Sequence, residues 1–177
     1  MLRSEIHSLR KLSIIGHPAV GKTTILKLLS QNTIDRIYLP THGLDLKTVK
    51  IGDFTIRVWD FGGQNYYFKC SRDHMLGSDL ILVITDSSPK NVLRSQELIG
   101  YATHFVDKSC PIIAIANKQD LSKPNGRMSP ERVEEILNVK TFGLSAINPA
   151  ERERLENIIR KELNKTAIRR RFKEIEL

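Results

Sequence analysis

Gly16-His17-Pro18-Ala19-Val20-Gly21-Lys22-Thr23 is the stretch that decides how this chain folds. It satisfies G-x-x-x-x-G-K-[ST]; it follows the apolar run Lys11-Leu12-Ser13-Ile14-Ile15 and opens a helical pattern to Leu29. A buried strand that runs through a glycine loop into a helix gathers backbone N–H groups and the positive end of a helix dipole at one point. That point suits phosphate. Gly16 and Gly21 let the backbone close in, with Ala19 and Val20 between them. Lys22 is expected to reach the β- and γ-phosphates of a nucleotide and the Thr23 hydroxyl to ligate magnesium, with Thr24 completing the phosphate-binding set. The motif names a polyphosphate, not a base.

Downstream, apolar runs alternate with amphipathic segments, the pattern of an α/β domain with a mainly parallel sheet. Leu44–Ile51 and Asp53–Asp60 alternate around Gly52-Asp53 and predict the one antiparallel hairpin. Leu80–Thr85 and Pro111–Ala116 read as central strands on either side of a helix over Asn91–Phe105. Ser129-Pro130 supplies an N-cap and a first-turn proline for a helix to about Leu137. A last strand near Lys140–Leu144 precedes a helix over Ala150–Leu163, whose stripe of Leu155, Ile158, Ile159 and Leu163 is expected to lie on the sheet. The expectation is a three-layer P-loop NTPase domain: a mostly parallel six-stranded sheet with one antiparallel hairpin strand, flanked by about five helices.

Asn117-Lys118-Gln119-Asp120 follows the strand over 112–116. A carboxylate there can accept from both the ring N1–H and the exocyclic amine of guanine, a donor pair that adenine lacks, so Asp120 selects guanine. After the last strand, Ser145-Ala146 begins a loop whose backbone N–H groups can meet the guanine oxygen. Trp59-Asp60-Phe61-Gly62-Gly63-Gln64 ends the hairpin. Asp60 can hold magnesium through water, the Gly63 N–H can meet the γ-phosphate, and Gln64 can orient the attacking water.

Together with Thr41, these motifs resemble those of the Ras superfamily of small GTPases, over essentially the whole span from Lys11 to Leu163. Within it the chain is most similar to the Arf-like branch: Pro40-Thr41-His42-Gly43 resembles its PTxG switch I, Trp59-Asp60 with Gly62-Gly63-Gln64 its WDxGGQ. The switch motifs are similar, too, to the Roc domain of larger multidomain proteins. The resemblance implies that Thr41 closes on magnesium and the γ-phosphate in the GTP state. It also implies a hairpin that changes register, and timing set by exchange factors and GTPase-activating proteins. The expected activity is slow hydrolysis of GTP to GDP and phosphate in a switch that controls effector binding. A nucleotide-held interaction module with little or no hydrolysis is the alternative, and a P-loop kinase or ATPase a more distant one.

Arf proteins carry a myristoylated glycine after the initiator methionine; Leu2 stands here, and the C-terminus has no prenylation cysteine. Leu2, Ile6 and Leu9 flanked by basic residues read either as an interfacial helix or as packing on the domain. Pro18 adds bulk where related loops are more open, which would slow hydrolysis or obstruct a partner's arginine. Tyr38 reads as nucleotide cover or a surface aromatic, and the switch II aromatics Tyr66, Tyr67 and Phe68 as partner contacts or inward packing; Arg36 does not match an internal arginine finger. Trp59 reads as a packing residue and His17 as a loop residue.

At 177 residues the chain suits a single domain, divided as an N-terminal extension at 1–10, a G domain at 11–165 and a basic tail at 166–177 with Arg169-Arg170-Arg171 and Lys173. The net charge of +8 is spread among interleaved acids, which speaks against nucleic acid as a partner. Cys70 and Cys110 lack metal or disulfide spacing. No apolar stretch is long enough to span a membrane and no signal peptide is evident, so the expectation is a cytoplasmic protein with peripheral membrane contact left open.

Overall fold

The computed structural model of this protein describes residues 8–30, 44–61, 75–121 and 126–175. Its chain order is β1 (Ser8–Gly16), α1 (Lys22–Leu29), β2 (Leu44–Ile51), β3 (Phe54–Phe61), β4 (Leu80–Thr85), α2 (Pro89–Phe105), β5 (Ile112–Ala116), α3 (Pro130–Leu137), β6 (Thr141–Gly143) and α4 (Arg152–Ile175). The six strands form one sheet in the order β2-β3-β1-β4-β5-β6. Only β2 and β3 are antiparallel, joined across Gly52-Asp53 in the register Ile51↔Phe54; every other pair is parallel. This is the expected α/β architecture, with four α-helices among the described residues.

The central strands are apolar on both faces because both faces are covered. Leu12 and Ile14 of β1, Leu80, Leu82 and Ile84 of β4, and Ile113 and Ile115 of β5 face a core completed by α1 and α4. Ile15, Ile81, Val83, Ala114 and Ala116 face the opposite core, under α2 and α3. The stripe on α4 lies in the first core, with Leu155, Ile158, Ile159 and Leu163 all buried.

The starts of β1 and α2 and the end of α4 differ from the sequence expectation, each for a local reason. β1 starts at Ser8 rather than Lys11, because Ser8, Leu9 and Arg10 pair with Phe54, Thr55 and Ile56. Leu9 is therefore in a strand, not on a helical stripe with Leu2 and Ile6, which lie outside the described residues. α2 starts at Pro89, with Ser88 as its N-cap accepting from the Asn91 N–H. α4 continues to Ile175, twelve residues past its expected end at Leu163, through the segment read as a tail. Arg, Lys and Glu are good helix formers, and Thr166 holds the extension to the sheet: buried, it donates through Oγ1 to the Asp79 carbonyl (3.2 Å). Among the described residues no helix is long and apolar enough to cross a membrane.

Parallel strands end on the same side, so the loops after β1, β4, β5 and β6 meet at one edge. Open parallel sheets bind ligands in such a crevice.

Candidate functional site

The loop from Gly16 to Gly21 leaves β1 and enters α1. Gly16 lies so close to β4 that a Cβ on it would stand 2.4 Å from the Ile84 carbonyl oxygen. Helices α2 and α3 are capped by Ser88 and Ser129, whereas α1 is preceded by Gly21, with no side-chain cap and no acidic residue in its first turn. The first N–H groups of α1 and its dipole end are thus left to an anion. Thr23 and Thr24 stand half-buried in that first turn. The buried Lys22 ammonium folds back over the loop and donates to the His17 carbonyl (2.9 Å).

His17 is itself buried, its Nε2 3.2 Å from the Arg94 carbonyl. Burial pushes its pKa down, with the Lys22 ammonium helping, which agrees with a structural loop residue. Pro18 and Ala19 are exposed at the top of the loop, Ala19 with φ +62°.

Asn117 joins this loop to the base-recognition turn. Buried at the end of β5, it donates from Nδ2 to the Val20 carbonyl (2.9 Å) and accepts at Oδ1 from the Ala146 N–H (3.0 Å). Gly21, with φ +104°, is required here: a Cβ would lie 2.3 Å from Asn117 Nδ2. Lys118 makes a second tie, donating from Nζ to the Ala19 carbonyl (2.7 Å). Burial lowers the Lys118 pKa; the Asp86 and Asp120 carboxylates oppose the shift and the Arg127 guanidinium adds to it.

The Asp120 carboxylate is exposed at a 3₁₀ turn over Gln119–Leu121, and its N–H is held by Ser145 Oγ (3.0 Å). Ser145 and Ala146 therefore brace the turn from β6; the Ala146 N–H, one of the donors expected to meet a base oxygen, is engaged by Asn117. Gly16, Ala19, Val20, Gly21, Lys22, Asn117, Lys118, Ser145 and Ala146 meet along one edge of the sheet, with Asp120, Thr23 and Thr24 beside them.

The β3 backbone carries Asp60 alongside this loop, since Asp60 pairs with Ile14, two residues before Gly16. Its side chain, and Thr41, Gly63 and Gln64 altogether, lie outside the described residues, as do Arg36, Tyr38, Tyr66, Tyr67, Phe68 and Cys70. Trp59 is half-buried with the Lys11 ammonium 4.5 Å from its ring center, in keeping with a packing role. Cys110 is a buried free thiol.

Sequence reading missed one part of the site. Asp86, just after β4, is clasped by Arg127: Nη1 lies 2.7 Å from Asp86 Oδ2 and donates to the Asp86 carbonyl (2.8 Å). Burial would raise the Asp86 pKa, but hydrogen bonds from Ser88, Asn91 and Arg127 hold it at about 2. An acid directly after a strand that ends at the crevice was the available signal for Asp86; for Arg127, in a polar loop, there was none.

Comparison with known proteins adds to this geometry. A model of the ADP-ribosylation factor family matches residues 2–172. ADP-ribosylation factor-like protein 2 of Drosophila melanogaster is 31% identical over 132 residues, covering 73% of this chain and 70% of that protein. ADP-ribosylation factor-like protein 3 of Chlamydomonas reinhardtii is 31% identical over 134 residues, covering 75% of this chain and 73% of that protein.

Proposed function

Because the chain belongs to the ADP-ribosylation factor family, in the Arf-like branch of the Ras-superfamily small GTPases, we propose that the crevice holds GTP and GDP alternately and hydrolyses GTP slowly. Guanine-nucleotide binding, GTPase switching and dependence on regulator or effector proteins come with the family; the residue roles, the metal and the rate are our reading. The observation that carries it is the brace through Asn117. It joins an uncapped helix start, suited to phosphate, to a turn that exposes a lone carboxylate, suited to guanine.

In this reading the amides of 16–24 and Lys22 grip the phosphates, and Asp120 accepts from guanine while Asn117, Lys118, Ser145 and Ala146 hold the turn in place. Hard oxygen donors suit magnesium, which would be held by the Thr23 hydroxyl, Thr41 and Asp60 and would neutralize phosphate charge. The β3–β1 register, which brings the Asp60 backbone beside the strand that feeds the loop, fits that donor set.

Thr41 and the Gly63 N–H act as two latches on the γ-phosphate, and Gln64 orients the water. When the phosphate leaves, the latches open and the switch surface changes shape for its partners. Unassisted turnover on the order of 10⁻⁴–10⁻³ s⁻¹ is expected, with an arginine from a partner raising it by up to about 10⁵. We further propose a G domain reaching from β1 through α4, working in the cytoplasm.

The test is magnesium-dependent binding of fluorescent GTP and ATP analogues to the full chain and to Asp120→Asn, followed by single-turnover phosphate release. Selectivity for GTP that Asp120→Asn removes, with slow release, supports the reading. Equal binding of ATP overturns the base assignment, and selective binding without hydrolysis leaves a nucleotide-held module.

A further inference from the structure

The base-recognition turn is gripped from two sides, and the two grips are themselves tied together. On one side the end of β4 holds it: Thr85 accepts from the Asn117 N–H (2.8 Å), and Ser87, with φ +63°, donates from Oγ to the Asn117 carbonyl (2.7 Å). On the other side, the segment before α3 reaches Gln119, whose Nε2 donates both to Ser87 Oγ (2.8 Å) and to the Met128 carbonyl (3.1 Å). Met128 also donates its N–H to the Ser87 carbonyl (2.8 Å).

Next to these neutral contacts stands one charged one. A single nitrogen of Arg127 serves both the carboxylate and the carbonyl of Asp86, with the two side chains only 18% and 11% exposed. Asp86 Oδ1 is separately occupied by the Ser88 N–H and hydroxyl, so these bonds orient Asp86 independently of Arg127. A charge-assisted hydrogen bond of this kind is stronger than the neutral ones around it. It is therefore the contact best able to hold the segment 126–128 against β4, and with it the amide of Gln119.

Resting on the guanine-site reading above, we propose that Arg127, acting through Asp86, is a positioning residue for the base-recognition turn: it clamps residues 126–128 onto the end of β4, and so fixes where the Asp120 carboxylate stands. Arg127 itself does not touch the nucleotide. Losing the clamp loosens the base end of the site first, while the phosphate loop, although joined to the turn through Asn117 and Lys118, keeps its own tie from Lys22 to the His17 carbonyl.

GDP and IDP separate this from a general loss of stability, because IDP lacks the exocyclic amine that Asp120 is placed to accept, so the GDP-to-IDP affinity ratio reports the placement of that carboxylate. Fluorescent GDP and IDP are released from the full chain, from Arg127→Ala, from Arg127→Lys and from Asp86→Asn, each loaded with magnesium. Arg127→Ala is expected to speed GDP release about tenfold and to narrow the GDP-to-IDP ratio. Arg127→Lys should recover most of both, since one nitrogen makes both contacts. Asp86→Asn, which keeps the side-chain shape and the carbonyl acceptor, should fall between.

Unchanged release and an unchanged ratio in both Arg127→Ala and Asp86→Asn overturn the clamp, as does equal weakening of GDP and IDP. If Arg127→Ala does not fold, Asp86→Asn and Arg127→Lys carry the same comparison. Failure of the guanine reading is seen separately, as a wild-type chain that holds ADP as well as GDP, and it overturns the clamp as well.

Discussion

Gly21→Ala tests the joint on which the site depends. Gly21 has φ +104°, where an L side chain is strained by about 1–2 kcal/mol. Its new Cβ would also stand 2.3 Å from Asn117 Nδ2, so the buried amide has to move. Moving it breaks the bond to the Val20 carbonyl and the bond from the Ala146 N–H, each worth about 1 kcal/mol net. The expected cost is therefore about 3–4 kcal/mol, which for a chain of this size lowers Tm by roughly 10 °C. Asn117→Ala alone removes the same two bonds and leaves a buried donor and acceptor unsatisfied, at about 3 kcal/mol. Because both substitutions break the same contacts, the double variant should be less destabilized than the sum by about 2 kcal/mol. Urea unfolding of the four proteins, with m-values checked for constancy, measures this cycle. Additivity of the two changes, or a Gly21→Ala cost below about 1 kcal/mol, would refute the reasoning.

Asp86 is held at a pKa of about 2, below its ordinary 3.8, so its contribution to stability is full above about pH 4 and is lost as pH falls toward 2. It amounts to about 2 kcal/mol; Asp86→Asn should flatten that limb of the urea midpoint against pH, and an identical slope in the variant would contradict the shift. Thr166→Val should cost about 1 kcal/mol by removing the bonds to the Asp79 and Glu162 carbonyls; no change in urea midpoint would mean that Thr166 does not anchor the extension of α4. Gln64→Leu should cut single-turnover GTP hydrolysis by about 10² or more while leaving the Kd for GTP within about twofold, and undiminished turnover would remove Gln64 from its proposed role.

Strand, turn and helix signals that act between near neighbors were legible in the chain alone. The loop from Gly16 to Thr23, the hairpin across Gly52-Asp53, the Ser129-Pro130 helix start and the stripe on α4 are all local patterns, and each matches the described element. The Ser88-Pro89 start of α2 carries the same signal as Ser129-Pro130 and lies two residues before the expected start at Asn91. By contrast, nothing near Ser8 marks it as strand; it becomes one only because β3 offers it a partner. Nor does the basic run after Leu163 show that Thr166 reaches the Asp79 carbonyl, 87 positions away in the chain.

The candidate site divides along the same line. Its motifs determined which chemical groups are present: a phosphate loop, an acid that suits guanine, and the residues that resemble switches. Tertiary structure decided how they are joined, since Asn117 and Val20 stand 97 positions apart and Arg127 and Asp86 stand 41 apart. Spacing along a chain reports only what one helix or strand presents to its own neighbors. Which loops meet depends on strand order, and the order β2-β3-β1-β4-β5-β6 sets the ends of β1, β4, β5 and β6 side by side. In that crevice a buried amide can satisfy two loops at once, and a guanidinium can reach a carboxylate that its own segment does not contain.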